Sequence, residues 1–159
     1  MLRRSFLIAL LGLVASSQSL AQLTIEISGA GANRIPVAVA AFAGESRLPA
    51  AISEVIQFDL NRSGLFKLID TAGSAVAESP NQDWGQWKGR GADALVVGTV
   101  TALSDGRQEV RFRLLDVVKQ TQLDGLSLTF RPESARKTAH RIADIIYQKL
   151  TGQPGVFST

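Results

Sequence analysis

The chain has 159 residues, and 17 Lys and Arg residues against 14 Asp and Glu residues give a formal net charge of +3 at pH 7. So small an excess is not the clustered positive charge with which proteins bind nucleic acid. The chain has no cysteine, which excludes disulfides, thiolate metal sites, thiol nucleophiles and lipid attachment through a thiol.

The first 21 residues predict a cleaved secretory signal. Arg3 and Arg4 precede an apolar run over residues 6–15, and small residues follow up to Ala21. The run is shorter than the ~20 apolar residues that a permanent membrane-spanning helix needs. We therefore expect cleavage between Ala21 and Gln22, which removes both arginines and leaves 15 basic against 14 acidic residues. The remainder is a soluble protein, outside the cytoplasm, with enough residues for one domain.

The segment after the signal alternates apolar and polar residues, which predicts a strand with one apolar face. The apolar positions are Leu23, Ile25 and Ile27, and the polar positions are Thr24, Glu26 and Ser28. Glycines in residues 29–34 predict a hinge after it. A terminal strand is tied at one end only, and its free edge can join another protein's sheet. The segment is therefore either a partner-docking strand or an ordinary first strand.

The next elements are a strand, a helix and a short strand. Residues 35–42 are mostly apolar, and Pro36 suits the start or the edge of a strand. Pro49 is predicted in the first turn of a helix that Gly64 ends, and residues 65–70 predict the short strand. The apolar stripe of this helix is Ile52, Val55, Ile56 and Leu60.

The second half predicts a meander of strands between two helices. Residues 71–82 predict a loop, and Asp83 is expected to cap a short helix. The nearly all-apolar residues 94–100 predict a central strand covered on both faces. Two alternating strands follow, and Pro132 opens a last helix. Their apolar faces are Val110, Phe112 and Leu114, then Leu126, Leu128 and Phe130, then Ala135, Ala139, Ile142, Ile146 and Leu150 in the helix, which Gly152 and Pro154 stop.

This order predicts an α/β fold, a mixed β-sheet packed by two main helices and one short helix. We divide the chain into a signal peptide (residues 1–21), a docking strand with its hinge (22–34), a mixed α/β domain (35–152) and the start of a linker (153–159).

No site for a metal, a cofactor or catalysis is expected. Gly29 and Gly31 follow a strand, but Arg34 stands where a dinucleotide-binding loop needs its third glycine. His140, the only histidine, is expected on the polar face of the last helix beside Asp144. Such a pair can transfer protons, but no nucleophile is placed to use it, so a solvated His140 is favoured over a hydrolase.

Two further patterns stay open. Arg107, Arg111 and Arg113 lie on one exposed strand face, which is either plainly solvated or binds an anionic partner. Trp84 and Trp87 share one side of the short helix, where packing is favoured over an interaction surface. The arginine strand supports an alternative function, a secreted scaffolding or ligand-binding domain.

Four stretches resemble the N-terminal domain of the TolB family, periplasmic proteins of the Tol-Pal system. They are residues 34–42, 59–66, 91–98 and 150–159. The resemblance implies a small mixed α/β domain without enzymatic activity, in the periplasm of a Gram-negative cell, with a role in outer-membrane integrity and cell division.

The resemblance also implies the partners. In this family the mature N-terminal segment docks onto the C-terminal domain of TolA, which assigns the contact to Gln22, Leu23, Thr24, Ile25, Glu26, Ile27 and Ser28. A β-propeller that binds Pal would begin just after Thr159, so Pal is not expected to bind this chain.

Overall fold

The computed structural model describes residues 33–72 and 76–159. The predicted signal and first strand lie outside these residues. The strands are β1 (Ile35–Val39), β2 (Phe66–Ile69), β3 (Ala94–Ala102), β4 (Gln108–Asp116) and β5 (Thr121–Phe130), and the helices are α1 (Ile52–Arg62), α2 (Trp84–Gly89) and α3 (Ala135–Thr151). Short 3-10 turns span Glu45–Arg47 and Pro132–Ser134. Within the described residues, no helix has the length and apolar character needed to cross a membrane.

The strands form one mixed sheet in the order β2-β1-β3-β4-β5. β1 runs parallel to both β2 and β3, while β4 and β5 continue the sheet antiparallel. The parallel pair β1–β2 is connected through α1, since a parallel connection needs a crossover, and β3, β4 and β5 follow as hairpins. β3 is the central strand and residues 94–98 are buried, so the prediction for this segment is confirmed.

Alternation along the strands divides the apolar residues between two faces. Val37, Val39 and most of the buried apolar side chains lie under α1 and α3, on what we call the helix face. Ala38 and Ala40 point to the opposite face, where Trp87 of α2 packs with residues of β3 and β4. The predicted fold class, with two main helices and one short helix, is confirmed.

Helix α1 begins at Ile52 with Ala51 as its N-cap residue. The prediction that Pro49 lies in its first turn is therefore wrong. The reason is the buried side chain of Glu45, whose two carboxylate oxygens accept hydrogen bonds from Ser53 N (2.8 Å), Ser53 Oγ (2.5 Å) and Phe42 N (2.9 Å). A carboxylate from outside the helix satisfies the first-turn amide and fixes where the helix starts.

The other predictions for the two main helices, their apolar stripes and their ends, agree with the structure. The predicted stripes of α1 and α3 are buried, apart from the half-buried Leu150. Gly64 (φ 77°) and Gly152 (φ 74°) adopt the left-handed conformation that ends a helix. In the edge strand β5 Phe130 is buried, whereas Leu126 is 42% exposed.

Candidate interaction surfaces

The predicted docking residues, Gln22 to Ser28, and the predicted cleavage site at Ala21 lie outside the described residues. What the structure does give is the point where this segment joins the sheet. Ile35 N donates to Leu65 O at 2.9 Å, beside the 41% exposed Leu65. The segment therefore leads into an inner strand, which already has β2 on one side and β3 on the other.

A row of aromatic rings lies at the same end of the sheet. The ring of Phe66, at the start of β2, meets Tyr147 of α3 edge-on, with centroids 6.0 Å apart. Tyr147 in turn meets Phe157 at 5.6 Å and 84°. Edge-to-face pairs of this kind add stability beyond their buried area. The start of β1, which pairs with Phe66, and Phe157, which contacts Tyr147, therefore lie at the same end of the sheet.

The residues after α3 are held against the helix by Asp144. Its carboxylate accepts hydrogen bonds from Phe157 N (2.7 Å), Ser158 N (3.1 Å) and the hydroxyl of Ser158. Gly155 lies so close that a Cβ there would be 2.5 Å from the Cα of Asp144. The assignment of residues 153–159 to a linker stays a prediction, but the structure shows that their contacts with α3 are specific.

His140 differs from the prediction. Its Nδ1 lies 2.6 Å from Oδ2 of Asp59, a buried carboxylate of α1. The expected solvated position beside Asp144 is wrong, because α1 and α3 pack side by side and bring the two residues together from 81 positions apart. An imidazole held by a carboxylate resembles part of a catalytic triad, but no described hydroxyl bonds to the ring, so the pair lacks a nucleophile.

Arg111 and Arg113 of β4, and Arg107 in the turn before it, each have a partner. Arg107 pairs with Asp105 at 2.7 Å and Arg111 with Glu109 at 3.1 Å. Arg113 is bonded to Glu78 of the loop before α2 and to Gln122 at 2.7 Å. A cleft of about 190 Å³ lies beside Arg111 and Arg113. Arg113 is thus held by two partners within the fold, which weakens the anion-binding hypothesis at that residue, whereas the exposed pairs of Arg107 and Arg111 contribute little.

The tryptophans of α2 serve packing. Trp87 is buried on the opposite face and Trp84 packs partly against the same cluster. Asp83 caps the helix as predicted, since its side chain accepts from Gln86 N at 3.0 Å. The guanidinium group of Arg90 lies over the Trp87 ring, 5.3 Å from its centroid, in a cation–π contact that adds to the packing of α2.

Among the polar contacts that the sequence did not predict are those of two carboxylates, Glu45 and Asp144. Both carboxylates accept from backbone amides in another segment, so no short sequence motif marks them. Every buried side-chain nitrogen and oxygen atom in residues 33–72 and 76–159 has a hydrogen-bond partner. In the same ranges, no three His, Asp or Glu side chains are grouped closely enough to hold a metal ion.

Asp105, in the turn between β3 and β4, has a pKa below its ordinary value. The backbone N–H of Arg107, and then its side chain, hold the pKa of this carboxyl below the ordinary value. The group is on the surface, so the shift reflects a local turn rather than a reactive site.

Comparison with known proteins identifies similar chains. The model of the TolB amino-terminal domain matches residues 23–123. "Tol-Pal system protein TolB" of Nitrosomonas europaea is 56% identical over 150 residues, which are 94% of this chain and 35% of that protein. The protein of the same name from Aromatoleum aromaticum is 52% identical over 87% of this chain and 33% of its own length.

A solved structure agrees with this similarity. The crystal structure of TolB from Acinetobacter baumannii matches with a TM-score of 0.66 and 30% identity, over 80% of this chain and 31% of that one. The chain thus spans about a third of the length of the relatives that it matches.

Proposed function

The chain belongs to the TolB amino-terminal domain family, and on that ground we propose that it is a non-enzymatic periplasmic adaptor of the Tol-Pal system. In this role residues 22–33 dock onto the C-terminal domain of TolA and so support outer-membrane integrity and cell division. The observation that carries the proposal is the family match, which begins at residue 23 and includes most of the docking segment.

The docking mechanism is addition of a strand to the partner's sheet. Leu23, Ile25 and Ile27 present one apolar face to TolA, while backbone groups extend its sheet. The pairing of β1 supports a docking role for the segment that precedes it. Because β1 is paired with β2 from Ile35 and with β3 from Val37, β1 itself offers no free edge to residues 22–33.

The first test is calorimetric titration with the C-terminal domain of TolA. One chain begins at Gln22 and the other at Arg34, so that Ile35 keeps the peptide N–H that it donates to Leu65. We expect binding by the longer chain only, with the same thermal unfolding temperature for both. Undiminished binding by the shortened chain would refute the N-terminal docking mechanism.

A matched pair of variants tests the alternation within the segment. Ile25→Asp and Thr24→Asp place the same charge at neighbouring positions, on opposite faces of the predicted strand. We expect Ile25→Asp to abolish TolA binding and Thr24→Asp to retain most of it. Equal losses would show that the segment does not dock as a strand with one apolar face.

A further inference from the structure

The outer surface of the two main helices carries an exposed aromatic side chain. Phe58 of α1 is 60% exposed. It borders a cleft of about 430 Å³ between the helices, which is lined by Glu54, Val55, Phe58 and Arg136. Val55 is buried and gives the cleft an apolar floor. An exposed phenyl ring beside an apolar floor is the kind of surface that partners use as an anchor point.

Unpaired positive charge surrounds this cleft. The exposed basic residues of α1 and α3 that form no ion pair within the described parts of the chain are Arg62, Arg136, Lys137 and Arg141. The same helices and the turn before α3 carry two exposed carboxylates, those of Glu54 and Glu133. The nearby Asp59 is bonded to His140, and Asp144 to the residues after α3. The surface therefore has an excess of positive charge.

We propose that this surface, which we call the helix-face patch, binds an acidic segment of a partner protein. An apolar side chain of the segment enters the cleft between Phe58 and Arg136, and its flanking carboxylates meet Arg136, Lys137 and Arg141. The patch consists of residues of α1 and α3 and includes none of residues 22–33, so the proposed binding is a different interaction from docking to TolA.

The shape of the patch favours a peptide over a lipid surface. A cleft of about 430 Å³ that opens to the surface can take one apolar side chain of a peptide, with the ring of Phe58 beside it. Glu54 on its rim would repel anionic headgroups pressed against the whole patch, whereas a peptide can place its carboxylates toward the α3 side alone. Surface charge complementarity of this kind also makes the interaction salt-dependent.

The test is an NMR titration of the ¹⁵N-labelled chain from Gln22 onward. The probe is a short capped peptide with two leucines between runs of glutamate, and its control has lysine in place of glutamate. We expect amide shifts confined to the segments around Phe58 and Arg136, and binding by the glutamate peptide only. Raising the salt concentration should weaken that binding.

Variants then connect the binding to the patch. Arg136→Glu with Lys137→Glu, and separately Phe58→Ser, should each raise the dissociation constant at least about tenfold. Arg111→Glu, on the opposite face, is the matched control and should leave it unchanged. Circular dichroism melting checks that the variants fold, which is expected because all these side chains are exposed.

Several results would overturn the proposal. They are an absence of shifts at the patch, equal binding of the lysine peptide, and loss of affinity in Arg111→Glu equal to that in the patch variants. Binding of phosphatidylglycerol vesicles that needs Arg136 would assign the patch to a membrane instead. Self-association in sedimentation that Phe58→Ser removes would assign it to a second copy of the chain.

Discussion

The two faces of the sheet are covered to different extents. On the helix face, α1 and α3 cover apolar residues contributed by all five strands, including Phe66 and Phe112. On the opposite face, α2 and the neighbouring loop cover a smaller cluster around Leu95 and Trp87. Beyond that cluster the opposite face is polar and carries the arginines of β4.

The difference extends to the charges. On the opposite face Arg111 and Arg113 have acidic partners within the described chain, whereas Arg136, Lys137 and Arg141 on the helices have none there. In the sequence both groups are basic residues at exposed positions of a periodic element. The comparison teaches that pairing, which only the fold reveals, decides which charged surface is available to a partner.

The largest expected effect compares two adjacent leucines of β4. Leu114 lies in the core of the helix face and Leu115 in the cluster of the opposite face, and both are fully buried. Replacing a buried leucine by alanine costs about 2–5 kcal/mol, depending on how far the surroundings collapse. We expect the loss of stability to be near the top of this range for Leu114→Ala and near the bottom for Leu115→Ala. The reason is that α2 and its loop can move to fill the cavity left by Leu115. Urea unfolding measures both, and equal losses would contradict the comparison.

The second effect compares two half-buried side-chain pairs, His140 with Asp59 and Arg113 with Glu78. His140→Ala leaves the carboxylate of Asp59 buried between the helices without its partner, and we expect a loss of about 1–3 kcal/mol. Arg113→Ala should cost less, about 1 kcal/mol, because Glu78, although its side chain is largely covered, lies in a segment without helix or strand that can shift and expose the carboxylate to water. Chemical denaturation measures both losses.

The control for this pair is Arg141→Ala, an exposed neighbour of His140, which should change stability by less than about 0.5 kcal/mol. A loss for Arg113→Ala as large as that for His140→Ala would show that the loop before α2 is as well fixed as the two main helices.

The third effect concerns the residues after α3. Gly155→Ala must push this segment away from Asp144, because the added Cβ has no room. We expect faster hydrogen exchange at the amides of Phe157 and Ser158, with a change of roughly 1 kcal/mol in global stability. Gly89→Ala is the control, since nothing lies within 4 Å of its Cβ position. Unchanged exchange in Gly155→Ala would contradict the close packing.

The smallest effect is the pH response of Asp105. Its folded pKa is lowered by the backbone N–H of Arg107 first and the side chain second. A lowered folded pKa adds stability that is present above the unfolded pKa and is lost as the pH falls through the folded one. NMR titration of the carboxyl carbon should give a midpoint below the ordinary value, and it should stay below in Arg107→Ala. A midpoint at the ordinary value would contradict the turn geometry.

Much of the fold could be predicted because local patterns and global packing agree. The apolar stripes of both main helices, the cap at Asp83 and the turn at Gly64 depend on spacing and on single residues. The continuous apolar run of β3 likewise indicated a strand covered on both faces. The predicted start of α1 at Pro49 was wrong. A proline is compatible with the first turn of a helix, but the carboxylate of Glu45 stabilises a first turn that begins at Ile52.

The candidate sites could be predicted only in part. The identity of the N-terminal docking segment came from alternation and resemblance, and it stays a prediction. The contact between His140 and Asp59 and the contact of Asp144 with the residues after α3 could not be predicted, because each joins residues that no periodicity relates. The same holds for the helix-face patch, which needs α1 and α3 side by side.

By itself the sequence determined the element types, most of their boundaries, the fold class and the family, since those follow from spacing along one chain. Only the tertiary structure decided the strand order, the partners of the buried carboxylates and which arginines form ion pairs within the described residues. The physical reason is that burial and ion pairing depend on distances in space, and here the decisive contacts join residues as far apart as Asp59 and His140.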